Sequence, residues 1–89
     1  MTEVLLHIRG DLGSDQAIPW ICHRARLLDL KGWVQREGSG LITVALAGPA
    51  PLVDAMEVAC SLGPADVLVE RIDRAEHRFK AHPNGFSVA

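Results

Sequence analysis

Apolar and polar positions alternate at the start of the chain. Val4, Leu6 and Ile8 interleave with Leu5, His7 and Arg9, the period of two that a strand imposes. Both sets begin apolar, which predicts a central strand. Gly10 to Asp15, GDLGSD, reads as a turn-rich loop. The spacing then becomes helical: Ile18, Ile21, Ala25 and Leu28 form one stripe, and Pro19 suits a first helical position. Leu30 to Arg36 predicts a second strand, Glu37 to Gly40 (EGSG) a hairpin turn, and Leu41 to Ala47 a third strand. Gly48 to Pro51 breaks the chain, and Pro51 starts a second helix with Leu52, Ala55, Met56, Ala59 and Cys60 on its apolar face. Gly63 predicts a left-handed helix stop, which Pro64 enforces. Val67, Val69 and Arg71 alternate with Leu68, Glu70 and Ile72 in a fourth strand. The tail turns at Asn84-Gly85 into a short strand over Phe86 to Val88. This order, βαββαβ with a short terminal strand, predicts an α+β, ferredoxin-like split βαβ sandwich. Two helices lie on one face of an antiparallel sheet, and residues 1–89 form a single domain.

Composition narrows the classes of function. The chain is 48% hydrophobic and 22% charged, which suits a folded soluble domain. Its net charge of -2 supplies no basic field for nucleic acid or anionic lipid. Aromatics are confined to Trp20, Trp33, Phe79 and Phe86. None lies on the first or third strand, where a split βαβ domain stacks RNA bases, so no nucleic-acid partner is expected. The apolar run at the N-terminus is too short for a membrane helix and lacks the basic flank of a signal, so the expected location is cytoplasmic, with no membrane partner. Cys22 and Cys60 then read as reduced, partly buried small hydrophobes, with a disulfide between them the lesser alternative. His7, His23, His77 and His82 show no ligand spacing with one another or with the cysteines, so neither a metal nor another cofactor is expected.

The joint spacing of four segments resembles the acylphosphatase family. They are Gly10 after the first strand, Gly32-Trp33-Val34 with Gly40 in the next turn, Gly48 after the third strand, and Gly63-Pro64 leading to Val69-Glu70-Arg71-Ile72. From Gly10 to Gly48 the family pattern lies along the chain without insertion or deletion. The resemblance implies hydrolysis of the mixed anhydride of acyl phosphates without a metal. It implies a first loop, G-x-V-Q-G-V-x-F-R, whose backbone N–H groups and closing arginine hold the phosphoryl oxygens, and an asparagine after G-W-V-x that orients the attacking water.

The departures from that pattern fall on the chemistry. The loop reads GDLGSDQAI, Gly10 to Ile18, and the arginine's place is taken by Ile18, which carries no charge and donates no side-chain hydrogen bond. Ser14 stands at the inner glycine, and Asp15 adds a carboxylate within the cradle. A carboxylate about 4 Å from a phosphate charge opposes it by on the order of 1 kcal/mol in water and about 4 kcal/mol at intermediate dielectric. Arg36 occupies the asparagine's place and cannot accept a hydrogen bond from water. The expectation is therefore an acylphosphatase-like domain without acyl-phosphate hydrolase activity, acting as a binding or interaction module.

The alternative is hydrolysis through a rearranged anion site. Its loop candidates are Gly13, Ser14, Asp15, Gln16 and Ala17, its anion anchor is Arg36 or Arg9, and its ligand is a small phosphate or acyl phosphate. The plainer readings set Arg36 beside Glu37 as a solvated pair at the hairpin, and Arg9 beside Asp11. Leu5, Ile42, Val44 and Leu46 exceed what one buried sheet face requires, which suggests a homodimer or protein partner on an open sheet face. The alternating charges from Glu70 to Lys80 read as a solvated edge strand and loop.

Overall fold

A computed structural model describes residues 1–89. Its elements are β1 (Thr2–Asp11), α1 (Ala17–Leu27), β2 (Lys31–Gly38), β3 (Leu41–Gly48), α2 (Ala50–Leu62), β4 (Leu68–Glu76) and β5 (Phe86–Val88). The strands lie side by side in the order β4-β1-β3-β2-β5. Every neighbouring pair is antiparallel except β2 with β5. The chain thus adopts the expected α+β split βαβ sandwich, with β1 central and the sheet mixed at one edge. No helix is long and apolar enough to cross a membrane.

Register decides which apolar residues meet. Val4 faces Leu46, Leu6 faces Val44 and Ile8 faces Ile42, while Val34 lies across from Val44 on the other side of β3. All of these are buried, beneath Ile21, Cys22 and Ala25 of α1 and Val53, Met56 and Cys60 of α2. Ile42, Val44 and Leu46 are therefore core residues, not a surplus on an open face. On the opposite face Leu5 stands opposite Ala45, and His7 opposite Thr43. Ala45, Ala47 and Thr43 are buried there too, although no helix covers them.

The chain covers part of this face with its own continuation. Beyond β4, His77 stands edge-on to Trp33 at 6.3 Å and to Phe79 at 4.6 Å between ring centroids. The N–H groups of His77 and Phe79 donate to the backbone oxygen (3.2 Å) and the side-chain Oε1 (3.0 Å) of Glu3. The charged run is an edge strand as far as Glu76, as expected, but His77 to Phe79 form a strap on the sheet instead of a solvated loop. Aromatic contact outweighs the polar appearance of HRFK because His77 and Phe79 are two apart in extended chain and point the same way.

The helix boundaries depart in instructive ways. α1 begins at Ala17, so Pro19 sits third, where a backbone N–H has no intrahelical acceptor to lose. α1 stops without a glycine. Asp29 takes a left-handed φ of 55°, its N–H donates to the Arg26 carbonyl at 3.0 Å, and the Leu30 N–H donates to Ala25 at 2.9 Å. This is a Schellman closure, with Leu30 buried after it. In α2 the buried face is Val53, Met56 and Cys60, and Ala55 is exposed. The larger side chains turn inward, and an outward alanine forfeits little apolar burial.

Candidate functional site

The loop singled out by its glycines joins β1 to α1. Its first requirement is a bulge. Arg9 pairs with Arg71 but Gly10 pairs with Val69, which leaves Glu70 without a partner on β1. A Cβ on Gly10 would collide with the Leu68 carbonyl oxygen and lie 2.9 Å from the Glu70 nitrogen, and its φ is 155°. Only glycine fits this close approach. β1 continues through Asp11, so the loop proper is Leu12 to Gln16, shorter than the turn read from the sequence.

The β2–β3 turn holds the loop from one side. The Leu12 N–H donates to the Ser39 carbonyl at 3.0 Å, and the Gly10 N–H donates to Gly40 at 3.3 Å. Arg36 stands two residues after the buried Val34 and so leaves β2 on the helix side of the sheet. From there it forks into the loop: Nη1 donates to the Leu12 carbonyl at 2.6 Å and Nη2 to the Ser14 carbonyl at 3.1 Å. The expected pairing of Arg36 with Glu37 does not form. Two carbonyl dipoles converging on one guanidinium outcompete an exposed neighbouring carboxylate.

Ser14 is the hub of the loop. Its Oγ donates to Asp66 Oδ2 at 2.5 Å and accepts the Gln16 N–H at 3.1 Å, while its carbonyl also accepts the Ala17 N–H at 3.3 Å. Asp66 enters from the connection between α2 and β4. It lies 52 residues from Ser14, and no local spacing in the sequence pointed to it. The N–H groups of Gly13, Ser14 and Asp15 donate to no acceptor in the chain. The loop therefore combines three free donors, one forked cation and two nearby carboxylates, Asp15 and Asp66.

The remaining candidate residues lie away from this cluster or bring no charge to it. Ile18 is half-buried and packs against the core, so position 18 carries no cation to the loop. Arg9 points to the opposite sheet face, where its Nε lies 3.8 Å from Asp73 Oδ2, and it pairs with neither the loop nor Asp11. Arg71 shares Asp73 from 2.9 Å. Cys22 and Cys60 are free and buried. Burial raises the Cys22 thiol against the pull of Arg26. Burial, helped by the charge of Glu57, pushes Cys60 up to about 12. Neither sulfur is a nucleophile at neutral pH.

Comparison with known proteins matches this arrangement to one family. The family model described as Acylphosphatase matches residues 18–88, and so leaves the loop before Ile18 outside the match. A curated acylphosphatase of Azorhizobium caulinodans is 36% identical over 90 positions, which span 100% of this chain and 97% of that protein. One of Rhodospirillum rubrum is 31% identical over 70 positions, or 79% of this chain and 77% of that protein. The crystal structure of acylphosphatase from Bacillus subtilis superposes with a TM-score of 0.92 at 20% identity, covering 100% of this chain and 99% of that one. With the strand order, the two helices on one face and the glycine-initiated loop all in place, the chain belongs to the acylphosphatase family.

Proposed function

We propose that this domain does not hydrolyse acyl phosphates and acts as a binding or interaction module, with a second copy of itself or another protein as its partner. One observation carries the reading: both terminal nitrogens of Arg36 are engaged by the loop's own carbonyls, at 2.6 and 3.1 Å. The single cation at the loop thus acts as its brace. The family resemblance calls for a phosphate-holding arginine at position 18 and a water-orienting amide at position 36. Ile18 packs on the core, and the guanidinium of Arg36 has no acceptor for a water proton. An incoming phosphoryl group would also meet the carboxylates of Asp15 and Asp66. We place the chain in the cytoplasm, where two unlinked thiols stay reduced.

A second reading keeps the hydrolase, with Arg36 as its anion anchor. It is favoured by the relatives named acylphosphatase and by the three unengaged N–H groups at Gly13, Ser14 and Asp15, the raw material of an anion nest. An acyl-phosphate assay at high protein concentration separates the two. The first reading expects no rate above buffer and no saturable amide shifts at Gly13 to Ala17 when phosphate is titrated. A rate that Arg36→Met abolishes, together with saturable shifts in that loop, would establish the second.

A further inference from the structure

β4 is an edge strand, paired with β1 on one side and with nothing on the other. Its middle reads Glu70-Arg71-Ile72-Asp73-Arg74. Laid antiparallel on itself about Ile72, this segment sets Arg71 of each copy opposite Asp73 of the other, and Glu70 opposite Arg74. No like charges meet. Shifting the centre by one residue, onto Arg71, would place Arg71 against Arg71 and Glu70 against Ile72. The charge pattern therefore selects one register. We propose that the free edge of β4 pairs with β4 of a second copy of this chain, joining two five-stranded sheets across a two-fold axis at Ile72.

The surroundings of the edge fit this occupant. Arg71 and Asp73 already touch within one chain, Nε to Oδ1 at 2.9 Å, on the helix-free face. With the second copy they form a ring of alternating charge, Arg71, Asp73, Arg71 and Asp73. On the other face a two-fold axis normal to the sheet brings the two α2 helices to the same side. Val58 of α2 (61% exposed) lies beside that edge. Between α2 and β4 runs an open groove lined by Val58, Ser61, Val69 and Ile72 together with the charged Glu57, Glu70 and Arg71, which the opposing copy would close. Arg74 adds less, because Asp54 (2.8 Å) and Glu57 (3.0 Å) already hold it on the helix side. The bulge at Glu70 keeps the ladder short. The dimer is accordingly weak and reversible, and isologous.

Sedimentation velocity over a concentration series up to millimolar tests the proposal. The expected mass rises from 9.6 kDa towards twice that value. Asp73→Arg sets four arginines around the axis and returns the protein to monomer across the same series. Adding Arg71→Asp to Asp73→Arg restores opposite charges in the same register and restores the dimer. A wild-type chain that stays monomeric throughout overturns the proposal. So does a dimer that Asp73→Arg does not weaken, or one that the charge swap fails to recover. If Asp73→Arg does not fold, amide exchange in the unmodified protein decides: protection of β4 must grow with concentration, and protection independent of concentration rejects the pairing.

Discussion

Replacing Arg36 by methionine keeps the apolar stem against β2 and removes only the fork. Two hydrogen bonds from a charged donor are lost, and their costs differ. The Leu12 carbonyl lies in a partly buried position and receives its bond at 2.6 Å. Losing it leaves an acceptor poorly reached by water, a loss of about 1.5–3 kcal/mol. The Ser14 carbonyl is exposed and keeps the Ala17 N–H at 3.3 Å, so its loss is made good by solvent to within about 0.5 kcal/mol. The sum is about 2 kcal/mol, which for a domain of this size lowers Tm by roughly 8–16 °C. Arg36→Lys keeps the charge but supplies a point donor in place of a fork, and recovers about half of the loss. Thermal unfolding by circular dichroism measures the size, and amide exchange locates it in residues 12–17. A Tm change below about 2 °C, with exchange in the loop unaltered, would refute the brace and with it the main argument against hydrolysis.

Gly10→Ala places a Cβ against the Leu68 carbonyl and destabilises the domain by about 2–3 kcal/mol in urea unfolding, with altered exchange at both the bulge and the loop. Asp29→Gly relieves a left-handed residue at the end of α1 and stabilises by about 0.5–1 kcal/mol on the same measurement; its exposed contact with Lys31 at 4.0 Å offsets almost none of this. Cys60 remains a thiol in the fold up to about 12, whereas in the unfolded chain it ionises near its ordinary 9.0. Above pH 9 the unfolded state therefore binds fewer protons, and Cys60 lowers stability by about 1.4 kcal/mol for each pH unit until pH 12. The chain has no tyrosine to confuse that slope; Cys22, raised in the same direction, adds to it, and Cys60→Ala should reduce it in urea titrations.

Much of this architecture is legible in the amino-acid order because period-two and helical spacing are local. Val4 to Ile8 and Leu41 to Ala47 announce the two central strands, and the glycine positions announce the turns. The hidden features depend on pairing across long stretches of chain. The bulge opposite Gly10 is a property of two strands in register, so neither strand shows it alone. The strap over Trp33 is masked because His77 and Phe79 sit among charges, and their partner on β2 lies more than forty residues earlier. At the loop, the substitutions at 18 and 36 are evident from spacing. The destination of the Arg36 fork is not, because Glu37 offers a nearer charge and backbone carbonyls leave no mark in a sequence. Asp66 is invisible for the same reason: nothing in GPAD tells where its carboxylate reaches.

The strand order β4-β1-β3-β2-β5 has a consequence for how the fold is reached. The first strand in the chain lies between the third and the fourth, with Thr2 paired to Gly48 and Val4 paired to Glu76. Both sheet edges are closed by segments from residue 68 onward. Only the β2–β3 hairpin forms from neighbouring sequence. Every other pairing closes a long loop before it gains a single ladder bond. Such a chain gains most of its ladder only after long loops close, and until β4 arrives β1 waits with one edge bare.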